Sequence, residues 1–131
     1  MPDVSTLLFL TAAFLALMGM LAHEFLGSPK VLASLKRSGL PEDVIWLHHF
    51  SWHVGSVATV AMAALFLLAA TAADGLAYAG VATAMSGGFA ALGISLAIFG
   101  NRALWRTPAP YPWTVISILG GTGLLFEAGI L

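Results

Sequence analysis

The sequence has no cysteine and very little charge. Its 131 residues include 5 Lys+Arg and 6 Asp+Glu, 8% of the chain, against about 25% in an ordinary soluble domain. Without cysteine there is no disulfide scaffold, thiol nucleophile, CxxC redox pair or Cys-ligated zinc. A formal net charge of −1 offers no field to hold nucleic acid. Serine-nucleophile, P-loop and dinucleotide motifs are missing too. The Gly-Gly pairs at 87–88 and 120–121 lie in apolar stretches and form no phosphate loop. A non-enzymatic role is therefore expected.

What is present is apolar. Hydrophobic residues make up 60% of the chain and mean hydropathy is +0.95. That content excludes disorder, and so little charge cannot cover a water-soluble bundle of this size. An integral membrane protein remains.

A bilayer-crossing helix needs about 20 mostly apolar residues. Four stretches meet that need, at about 4–26, 42–73, 76–99 and 111–131. They lack the alternation of an outer-membrane barrel strand. The first connection, 27–40, places Val31, Leu32 and Leu35 on one helical face, which predicts a short helix lying at the interface. Gly39 and Pro41 then stop and restart the helix, and Glu42 and Asp43 enter the new first turn, where the helix dipole favours acids. Short loops join antiparallel neighbours. The expected fold is all-α: one domain over 1–131, an up-down antiparallel bundle of four membrane helices with an interfacial helix after the first.

Lys30, Lys36 and Arg37 lie in the first connection, and Arg102 and Arg106 in the third. With four crossings these segments share a side, and the opposite side has no Lys or Arg. The positive-inside rule makes the basic side cytoplasmic and puts both termini outside. Trp46, Trp105, Tyr111 and Trp113 fall near the same boundary, as an aromatic belt does. Besides lipid, the partners this suggests are helices. Ala84/Gly88, Gly87/Ala91, Ala91/Ser95 and Ser117/Gly121 are small pairs four apart. They predict packing of the third span on the fourth, with a homodimer or a membrane-complex partner on these faces as the alternative.

The informative chemistry is one cluster. His23 and Glu24 end the first span, and His48, His49 and His53 open the second in LHHFSWH. All four histidines and Glu24 thus fall at one membrane depth. At about 100° per residue, His49, His53 and Ser56 form one stripe, while His48 points elsewhere. Several uses fit. Glu24, His49 and His53 form a three-ligand set for zinc or non-haem iron. His23 opposite His53 or His49, one from each helix, is a pair that would hold haem. Glu24 and His53 would form a proton relay. Alternatively, all of them sit among lipid headgroups without a function, or serve a structural subunit. Glu127, near the other surface, reads as an interfacial carboxylate.

A helix-one end carrying His23-Glu24, a short basic loop, and a second helix with Trp52-His53-x-x-Ser56 resemble a set of small four-span proteins of the bacterial inner membrane. In size, and in the loop ending Gly39-Leu40-Pro41, the chain also distantly resembles DoxX-type membrane proteins. The resemblance implies a four-helix fold in a bacterial inner membrane and brings no established chemistry. Small multidrug-resistance transporters share the span number. Their membrane acid lies deep in helix one, however, whereas Glu24 lies near its end, and the Lys/Arg asymmetry here opposes dual orientation.

Overall fold

The computed structural model describes residues 3–131, which contain helices and turns but no strand. The first helix, α1 (Val4–Ala22), starts at Asp3, whose side chain accepts the Thr6 amide at 2.8 Å. This is the capping bond that an otherwise orphaned first-turn N–H requires. The expected break near Gly27 is not there. Instead the chain passes through a π turn, His23–Gly27, directly into α2 (Ser28–Lys36). The reason is Pro29, which lacks an amide hydrogen and would press on a carbonyl four residues back in a regular helix. The wider turn, closed by the Ser28 amide on the His23 carbonyl, absorbs it. The helix over 28–36 is therefore a continuation of α1 rather than a separate piece.

Gly39 takes φ +72°, a backbone conformation that suits glycine, and α3 (Glu42–Thr71) begins after Pro41 with Glu42 and Asp43 in its first turn, as expected. A tight turn leads to α4 (Gly75–Ser95), which also ends in a π turn, Leu96–Gly100. The polar third connection holds a 3-10 helix, Arg102–Arg106, that its composition did not announce. The last helix, α5 (Tyr111–Glu127), has 17 residues and stops short of the expected Leu131. Gly129 at φ +67° makes the stop. Its amide reaches the Phe126 carbonyl at 3.0 Å and the Ile130 amide reaches the Leu125 carbonyl at 2.9 Å, satisfying the last carbonyls of the helix.

Three helical stretches are long and apolar enough to cross a membrane: Val4–Lys36, Glu42–Thr71 and Gly75–Gly100. At about 1.5 Å per residue, α5 is about 25 Å long. In the folded chain α1 packs on α3 and α5, and α4 packs on the same two. The centre holds Phe9 and Phe66, stacked with ring centroids 6.4 Å apart, together with Met62 and Ile116. The rest of the buried set is small or polar: Ala12, Ala16, Ala79, Ala82, Ser86 and Thr59 among them.

The small pairs behave differently from expectation. Of those named, Gly87 faces α5, since a Cβ there would lie 3.3 Å from Ser117 Oγ. Ala84, Gly88, Ala91 and Ser95 are exposed. The α4 stripe that is buried is Ala79, Ala82, Ser86 and Ala90, and the buried residues of α5 are Ile116, Gly120 and Gly123. Spacing alone could not say which of two small rows faces inward.

At one end of the helices the Ser5 hydroxyl lies between the Asp3 and Glu127 carboxylates, tying the start of α1 to the end of α5. The Thr6 hydroxyl and amide, and then Ser5, hold the Asp3 carboxyl below the usual carboxylate range. A carboxyl lowered in the folded state stabilises it above the unfolded value, about 3.9. That contribution is lost as pH falls through the folded value. Asp3→Asn, which keeps an accepting oxygen without the charge, should melt below wild type at pH 7. The gap should narrow in thermal unfolding as pH falls below the ordinary carboxylate range.

Candidate functional site

The other end of the helices brings the predicted chemistry together. Glu24 lies in the π turn that closes α1, and His53 and Ser56 lie on one face of α3. His53 Nδ1–H donates to Glu24 Oε1 at 3.1 Å, and the buried Ser56 hydroxyl donates to the same oxygen. The Glu24 side chain is 23% exposed and His53 54% exposed, so the pair sits at an edge that water can reach. One oxygen taking two donors from a second helix is a charge-assisted contact. It locks the end of α1 to α3.

His23, one residue earlier, also faces α3. Its ring stacks on Trp52 with centroids 3.8 Å apart and planes 11° apart. Its Nε2 lies 3.3 Å from the Trp52 carbonyl oxygen. A carbonyl can only accept, so that nitrogen carries hydrogen. Gly27 makes the stack possible, because a Cβ there would come 3.0 Å from the Trp52 ring. In a regular helix His23 and Glu24 would diverge by about 100°. The π turn spreads more residues over one turn and so narrows that step, letting both side chains meet α3.

The remaining histidines lie apart from this contact. His49 sits against Trp46 with ring centroids 5.1 Å apart, and its Nε2 is buried without a partner, as is Trp52 Nε1. His48 is exposed, with Nδ1 2.8 Å from the Val44 carbonyl. Of the expected metal set, Glu24 and His53 therefore meet, while the His49 ring leans on its own helix. Among the described residues no group of three or more His, Asp or Glu is placed to hold a metal ion. Of the expected haem pair, His23 is engaged by Trp52 and His53 by Glu24.

The sequence pattern singled out Glu24, His53 and Ser56. It missed Trp52 as the platform for His23, and Gly27 as the gap that admits it. An aromatic residue and a glycine this far apart in the chain carry no pairing signal in one sequence. Beside the cluster is a cavity of about 260 Å³ whose wall includes His23 from the π turn, Thr59 from α3 and Trp113 from α5. No protein-family profile, curated protein or solved structure matches the chain.

Proposed function

We propose that the chain is a four-helix, up-down bundle embedded in a cytoplasmic membrane, and that Glu24, His53 and Ser56 form a proton-exchange site for proton-linked transport. The membrane reading is supported by where the bulky side chains go. Phe14 is 61%, Val57 70% and Ile118 62% exposed, whereas Ala12, Ala16, Ala79 and Ala82 are fully buried. Water selects the reverse order. In lipid, where tails are as apolar as leucine, small residues pack helix on helix and large ones face outward. Positive-inside asymmetry then directs the basic segments, and with them the Glu24 end, to the cytoplasm. At about 25 Å, α5 would match the hydrocarbon thickness by local thinning.

The single observation that carries the proton reading is the shared Glu24 oxygen. A carboxylate and an imidazole in contact at the end of a membrane span are the side chains that proton relays use. Ser56 holds the carboxylate in place on the face where His53 can trade a proton with it. Losing the proton from His53 removes the ionic part of the link between α1 and α3, so protonation and helix fit are coupled. The reading rests on a proton rather than a metal because two of the expected ligands meet and the third does not.

The test is reconstitution into liposomes loaded with a pH-sensitive dye. After an external acid jump, wild-type vesicles should acidify faster than empty ones. Glu24→Gln should return the rate to that of empty vesicles. Equal rates for wild type and Glu24→Gln would remove the proposed role.

A further inference from the structure

The cavity beside the cluster has a chemistry of its own. It lies between the ends of α1 and α4, the middle of α3 and the start of α5, and measures about 260 Å³. Missing side chains help make the room. A Cβ built on Gly19 meets nothing within 4 Å, and one built on Gly55 meets only His23 Nε2 at 4.0 Å. A cavity of about 150 Å³ accepts benzene, so this one accommodates a substituted ring.

The wall defines the kind of molecule. It contains no Asp, Glu, Lys or Arg, so a charged ligand would lose its hydration with no counter-charge to replace it. Phe89 and Trp113 contribute two aromatic faces, 5.2 Å apart between centroids and inclined by 57°. Such faces suit a planar ring. Two polar side chains reach the wall. The Thr59 hydroxyl already donates to the Gly55 carbonyl at 2.8 Å. His23 has Nε2–H engaged by the Trp52 carbonyl, which in a neutral ring leaves Nδ1 as an acceptor.

We propose that this cavity is a binding site for an uncharged aromatic molecule with one hydroxyl group, a phenol in chemical class, with its ring against Phe89 and Trp113 and its hydroxyl toward His23. One apolar slot with a single polar handle is the usual composition of a small-molecule site. The proposal does not depend on proton exchange at Glu24.

It is tested by titrating the liposome-reconstituted protein at pH 8 with 4-bromophenol, which is neutral there, following tryptophan fluorescence. Bromine quenches a nearby indole, and Trp113 lines the cavity. The expected result is saturable quenching that unbrominated phenol reverses. Gly19→Leu and Gly55→Val, which fill the space, should raise the half-saturation concentration at least tenfold while thermal melting shows that they fold. Quenching that stays linear in wild type is simple partition into lipid and overturns the proposal, whether or not the variants fold. So does an unchanged half-saturation point in either folded variant. Equal saturable quenching by 4-bromobenzoate, which is charged, would overturn the assignment to a neutral ligand.

Discussion

Phe14→Arg and Ile118→Arg should each make membrane insertion less favourable by about 3 kcal/mol, the difference between an aromatic or aliphatic residue and arginine at the centre of a membrane helix. Both residues lie near the middle of their helices and are 61% and 62% exposed, so neither substitution disturbs the packed centre. That separation gives the experiment its force. In a water-soluble protein, replacing a solvent-facing apolar residue changes stability by about 0.5 kcal/mol or less, and the added charge improves solubility. In a membrane the same change puts a guanidinium against hydrocarbon. The check is the membrane-integrated fraction after expression, by alkaline carbonate extraction. Both arginine variants should shift toward the soluble or degraded fraction, while Ala84→Leu, also on an outward face, should behave as wild type. Arginine variants that stay soluble, folded and as abundant as wild type would mean that these faces meet water.

Gly123→Leu should destabilise the folded helices by about 3 kcal/mol, the upper end of ordinary overpacking. Even a single Cβ at Gly123 would lie 2.5 Å from Phe9 Cε1 and 2.9 Å from Cδ1. The same holds at Gly120, where a Cβ would run into Thr83 Oγ1 and the Phe66 ring. Phe9 and Phe66 are 2% and 0% exposed and have no free space to swing into. Here the helix-to-helix distance is set by two glycines on α5 that receive two rings from α1 and α3. Shrinking the ring should partly undo the damage, so Phe9→Ala/Gly123→Leu should be more stable than Gly123→Leu alone. Unfolding in mixed micelles with increasing dodecyl sulfate measures both. Additive losses in the double variant would show that the two positions do not share a contact.

The broad plan was legible because it depends on composition and run length. Apolar stretches of membrane length announce helices wherever they occur, and the Gly39–Pro41 restart placed the beginning of α3 correctly. Helix ends depend on single backbone positions and were less legible. Gly129 reads as one more small residue in an apolar run, yet its positive φ ends α5 at Glu127. The connection at 27–40 reads as a break, yet a π turn carries the helix through Pro29. In the candidate site, helical periodicity correctly grouped His53 and Ser56 toward the first helix. It also grouped His49 with them, because period alone ignores that Trp46, three residues earlier, offers that ring a neighbour on its own helix. A regular helix would turn His23 and Glu24 apart. The geometry of the π turn, invisible in the residue pattern, lets both face α3.

The link between Glu24 and His53 is tested most directly by the infrared difference spectrum of the reconstituted protein between pH 8 and pH 5. Wild type should show an imidazolium band and, in the same spectrum, a shift of a carboxylate band. If the two groups are coupled, Glu24→Gln should alter the imidazolium band as well as remove the carboxylate shift, and His53→Gln should remove the carboxylate shift in return. If each variant deletes only its own band and leaves the other untouched, the two side chains titrate independently, and the proton-exchange site does not exist.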